Sequence, residues 1–208
     1  KEGFQHYGSL TKSSYFLRKT PTWGEVFTAQ QWNQFSSWLK TKKAKVSIPD
    51  YLEQYPDDNW EKLHNTFLCD TRKTVLYPPY SFSSQFGDKG VHVKNENEAF
   101  YFHSPMAPVH DFISHFEVLE NCLQFDEYFQ PESEFLINNS NIDLKPEQLS
   151  IDLHGSKFQK LNTEYCIGPY DSYAPLKQWS MQLNPLYMNV VLDIEGEDLC
   201  LTRKADIT

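Results

Sequence analysis

The spacing of hydrophobic positions changes along the chain, and the change divides it. Trp32, Phe35 and Leu39 recur at helical intervals, and Thr28 with Gln31 has capping-box spacing, so a helix is predicted there. Lys40, Lys42 and Lys43 fall at its C-terminal end, where the helix dipole favours cations. A second helix is predicted from about Asp57. Trp60, Leu63, His64, Phe67 and Leu68 follow the i, i+3, i+4, i+7, i+8 pattern, and Pro56 with Asp57 and Asp58 marks the start. Thr74 to Tyr77 reads as a short strand. Residues 1–22 hold neither period and read as irregular, closing on Lys19-Thr20-Pro21-Thr22.

From about residue 95 the texture is different. Asn95-Glu96-Asn97-Glu98 is a polar break, and residues 111–130 mix aromatic and acidic positions with no clear period. Short strand-like runs follow at Glu134–Ile137, Leu149–Leu153, Glu164–Ile167, Met188–Ile194 and Asp198–Thr202, separated by Asn, Pro and Gly. Glu195-Gly196-Glu197 between the last two predicts a β-hairpin. The expected fold class is therefore α+β, with a helical portion over residues 1–95 and a β-rich module over residues 96–208.

Composition narrows the partners. The chain has 208 residues, enough for one large domain or two small ones, and 15% are aromatic. That fraction suits a packed core and also surfaces that face sugars or bases. A formal charge of −9 argues against a nucleic-acid backbone as partner, because phosphate neutralisation needs clustered Lys and Arg. Cys69, Cys122, Cys166 and Cys200 form no Cys-x-x-Cys pair, so a zinc site is not expected, and a reducing compartment is. No apolar run approaches the roughly 18 residues of a membrane span, and no signal peptide is visible. The chain opens on Lys rather than Met, as a piece of a longer protein would.

The candidate chemistry lies in three motifs. Thr22-Trp23-Gly24-Glu25 sets an indole beside a glycine. Pro56-Asp57-Asp58-Asn59-Trp60 sets carboxylates at a helix start. Phe86-Gly87-Asp88-Lys89-Gly90-Val91-His92 closes a Pro-, Ser- and Gly-punctuated loop on a histidine, whose imidazole can meet a metal or a phosphate. His110 and His115 are five apart and miss the one-face spacing of a helical metal pair.

In this order the three motifs resemble the acceptor half of a GT-A-type glycosyltransferase, close to bacterial family 2 enzymes and the N-acetylglucosaminyltransferase I type. The likeness covers roughly residues 1–95. It implies that Trp23, Gly24 and Trp60 line the acceptor side. It implies that Asp58 is the catalytic base of an inverting transfer, taking the proton of the acceptor hydroxyl, with Asp57 as helix cap or the two roles exchanged. Phe86, Gly87, Lys89 and Gly90 would form the loop over the donor, with Lys89 beside the leaving diphosphate and His92 holding a divalent cation (Mn or Mg).

A nucleotide-sugar donor, a glycan acceptor, polysaccharide biosynthesis and a cytoplasmic location follow as expectations, with peripheral association at the inner membrane face left open. The pattern is incomplete. No strand–helix nucleotide-binding half precedes Lys1, and Asp70-Thr71-Arg72 is no Asp-x-Asp. The expectation is thus a C-terminal portion of a transferase, with a non-catalytic carbohydrate- or protein-binding module as the alternative.

Overall fold

The computed structural model describes residues 14–20, 24–41, 46, 48–78 and 122–208. The chain divides into two compact units, Lys1–Leu123 and Gln124–Thr208. The boundary expected near residue 95 lies outside the described residues. The architecture is mixed α+β, with several helices and two small sheets.

In the first unit, strand β1 (Tyr15–Leu17) is followed by helices α1 (Ala29–Thr41), α2 (Asp50–Glu53) and α3 (Trp60–Thr71) and strand β2 (Val75–Tyr77). Residues 1–22 had read as irregular, yet β1 pairs antiparallel with β2, Tyr15 opposite Tyr77 and Leu17 opposite Val75. A three-residue strand carries too little alternation to be seen in sequence. Its tyrosine rings stack 5.2 Å apart, and Tyr77 donates its hydroxyl to the Lys19 carbonyl at 2.8 Å.

Helix α1 starts as its capping residues dictate. Gln31 N–H donates to Thr28 Oγ1 at 3.2 Å, and Thr28 N–H donates to Gln31 Oε1 at 2.8 Å. Helix α3 starts later than expected. Neither Asp57 nor Asp58 is its cap; Asn59 is, accepting from Lys62 N–H at 3.1 Å. Asp57 instead pairs with the Lys62 ammonium at 2.8 Å. The two helices run in the same direction. Trp32 stacks on Trp60, Phe35 meets Phe67, and Trp38 reaches Asp70, so the contacts advance together along both.

Strand β3 (Leu123–Phe125) straddles the boundary and belongs to the three-stranded sheet of order β2-β1-β3. The second unit holds helix α4 (Ser133–Asn138), strands β4 (Leu149–Ile151), β5 (Tyr165–Gly168) and β6 (Lys177–Trp179), helix α5 (Tyr187–Val191) and strand β7 (Leu199–Arg203). The last sheet has the order β4-β5-β7-β6, with β4 parallel to β5 and the other pairs antiparallel. Leu199 to Thr202 are buried without interruption, as a central strand covered on both faces requires.

Three expectations are corrected here. Glu134–Ile137 lies within helix α4, and most of Met188–Ile194 lies in or beside helix α5. The hairpin joined by Glu195-Gly196-Glu197 does not form, because the partners of β7 are β5 and β6. Short apolar runs do not separate helix from strand by period. What decides for α5 is Asn189, fully buried, whose amide donates to the Leu183 and Leu186 carbonyls at 2.9 Å. Its oxygen accepts from Leu183 N–H at 3.0 Å, locking the helical turn.

Candidate functional site

The first unit carries an aromatic layer between α1 and α3. Phe35 is its centre, 1% exposed, with ring centroids of Trp60, His64 and Phe67 at 5.2, 5.0 and 5.4 Å. Beneath it Glu25 accepts from the Thr20 hydroxyl, and its carboxylate lies 3.0 Å from His64 Nδ1. Gly24 turns the chain into Glu25 with φ 72°, a left-handed conformation that glycine adopts without a Cβ clash. Two indoles rise out of this layer. Trp32 is 46% exposed and Trp60 38%, stacked at 5.8 Å.

On the other flank of α1 lies a shallow, open groove of about 740 Å³. Gln30, Asn33, Gln34 and Ser37 line it from α1, at the i, i+3, i+4, i+7 spacing that places them on one helical face. Its deepest lining residues are Trp38 and Phe67, half-buried and buried, with rings 5.6 Å apart. Thr71 and Lys73 complete it. Trp38 is oriented by its indole N–H, which donates to Asp70 Oδ2 at 2.6 Å. The groove thus offers one oriented aromatic surface, carboxamides that both donate and accept, and two hydroxyls.

The second unit holds a different polar cluster. Asp152, fully buried at the end of β4, accepts from Ser156 N–H at 2.8 Å, Lys157 N–H at 3.1 Å, and the Tyr170 hydroxyl. Gln130 joins it, accepting from Leu153 N–H at 2.7 Å. Asp126 accepts from Tyr128 and Gln130 N–H at 2.8 and 3.0 Å and pairs with the Lys157 ammonium. Burial pushes the Asp126 carboxyl up, against the pull of Lys157 downward. Burial, then the bond to Asp152, raises the Tyr170 phenol. The carboxylate oxygens and the Gln130 amide are satisfied inside the fold, so the cluster joins β4 to the residues 126–130 and 170 rather than facing a ligand.

The positions expected from sequence divide unevenly. Asp58 is exposed in the turn before α3, two residues ahead of the exposed Trp60, and forms no ion pair among the described residues. Gly24 is exposed at a turn. Trp23, Phe86, Gly87, Lys89, Gly90 and His92 lie outside the described residues. Among the described residues no three His, Cys, Asp or Glu side chains form a metal-holding group. The groove residues were missed. Their signal was present in a helical stripe of uncharged amides opposite the aromatic face, where a solvated helix would carry charges.

No helix among the described residues is long and apolar enough to cross a membrane. Comparison with protein-family models, with curated proteins and with solved structures finds no match.

Proposed function

We propose that the N-terminal unit binds glycan, with the α1–α3 groove as the site. The observation that carries this reading is the groove lining, in which Gln30, Asn33, Gln34 and Ser37 stand beside the pinned Trp38 indole. Sugar rings present an apolar C–H face, which stacks on an indole, and hydroxyls, which pair with planar amides. A helical scaffold that already holds Trp38 and the amides spares a ligand the entropy of ordering them. The acidic composition is compatible with such a ligand and unfavourable for nucleic acid.

Titration of the chain against an oligosaccharide panel tests it, with Asn33→Ala/Gln34→Ala as the control. Both side chains are exposed, so the fold should tolerate the change. Loss of two hydrogen bonds at about 1 kcal/mol each weakens binding about thirtyfold. Equal binding by the double variant removes the groove from the reading.

A second proposal adds catalysis: an inverting sugar transfer in which Asp58 takes the acceptor proton while Trp60 stacks on the acceptor. It is favoured by the exposure of both side chains and by the absence of an ion pair on Asp58. The nucleotide-sugar and divalent cation would come with the remainder of the enzyme. Asp58→Asn in the full-length protein should lower turnover more than about a hundredfold at unchanged melting temperature. Unaltered turnover removes Asp58 from the mechanism.

A further inference from the structure

We infer that the groove selects glycans bearing carboxylates, uronic-acid chains, through the ammonium of Lys73. This rests on the glycan reading above and sharpens it. Because α1 and α3 run in the same direction, both C-termini lie at one end of the unit, and their cations gather there. Lys73 lines the groove itself, and Lys40 stands on α1 one turn beyond Ser37. Among the described residues neither lysine has an ion-pair partner. Lys73 is the one ionisable side chain among the described groove-lining residues, in a chain whose net charge is −9. The nearest carboxylate in sequence, Asp70, accepts the Trp38 indole N–H at 2.6 Å.

The backbone of Lys73 is fixed as well. Its N–H donates to the Leu68 carbonyl at 3.0 Å, closing the end of α3 around Arg72, which holds φ 52°. The helix dipoles account for lysine being stable at this end. They do not account for a lysine standing in a lining that is otherwise amide, hydroxyl and aromatic. A sugar stacked on Trp38 with its hydroxyls on the α1 amides would carry a C5 carboxylate at its rim, where a compact ammonium gives a charge-assisted hydrogen bond.

The experiment uses matched ligands, uronic-acid tetrasaccharides of gluco, galacto and manno configuration, each beside the neutral tetrasaccharide made by reducing its carboxyl groups. The intact chain is titrated with each by calorimetry in low and high salt. The expected result is a preference of about fivefold for at least one acidic member over its neutral partner, lost in Lys73→Gln and screened by salt. Lys73→Gln should weaken the acidic member about fivefold more than its neutral partner, which keeps the Trp38 and α1 amide contacts. Equal affinity for acidic and neutral members overturns the carboxylate inference and leaves the glycan reading standing. Binding of neither class across the panel overturns both. A salt-sensitive preference that survives Lys73→Gln assigns the selectivity elsewhere and also overturns the inference.

Discussion

Replacing Phe35 by alanine removes the ring on which both helices of the first unit close. Phe35 is buried to 1% and lies among five rings, with Trp32 at 6.1 Å and Trp38 at 6.2 Å adding to the three nearer ones. Burying a Phe side chain contributes about 2–3 kcal/mol by area. The cavity left behind raises the cost of Phe→Ala to about 3–5 kcal/mol. Edge-to-face pairs add about 0.5–1.5 kcal/mol apiece, but a cluster of flexible indoles can collapse partly into the void. A loss of about 4 kcal/mol is therefore expected, a large share of the 5–15 kcal/mol that holds a typical domain together. Trp32, Trp38 and Trp60 report on this change directly, since all three belong to the Phe35 cluster. Urea unfolding followed by tryptophan fluorescence should show the midpoint falling by roughly 2 M at a slope of about 2 kcal/mol/M. Phe35→Leu should cost less than half as much. A loss below about 1 kcal/mol for Phe35→Ala would show that α1 is not anchored by this layer, and the groove would lose its rigid wall.

Other expectations concern the second unit. Asp152→Asn keeps the shape but sets an amide N–H₂ against donors. One of Ser156 N–H and Lys157 N–H then loses its acceptor, for a cost of about 2–3 kcal/mol. Amide exchange at Ile151 and Ile167 should accelerate by a factor on the order of a hundred, and unchanged exchange would make the cluster dispensable. Cys166, with its thiol pushed up to about 12 by burial, and the buried Cys200 should resist iodoacetamide at pH 8 in the native chain and react once it is unfolded. Their native labelling at the rate of a free thiol would contradict the sheet described here.

The helical half of the fold was legible because its period is long. Thr28, Gln31 and Phe35 fix α1 by local rules, and the buried side of α3 follows from His64, Phe67 and Leu68. Its start was misplaced because Asp57, Asp58 and Asn59 are all competent caps, and the choice fell to Asn59 through the Lys62 amide. Helix α5 was not legible, since its identity depends on Asn189 reaching the backbone of Leu183, a contact no spacing rule contains. Strand β6 was missed for a related reason. Lys177-Gln178-Trp179 has one apolar residue, and its place beside β7 is set by Trp179, which is buried and donates to Asp193 Oδ1 at 2.9 Å. The groove itself is not legible in the sequence. Trp60 and Asp58 were singled out as chemistry-bearing and are exposed, whereas the amide stripe on α1 was passed over because polar helix faces are ordinarily solvated.

The most direct test of the account is residue-resolved NMR of the intact chain titrated with neutral oligosaccharides. Saturable shifts are expected at the Trp38 indole N–H and at the side-chain amides of Gln30, Asn33 and Gln34, with the affinity weakened about thirtyfold by Asn33→Ala/Gln34→Ala. Shifts confined to residues outside the groove, or no saturable shift with any sugar, would contradict it.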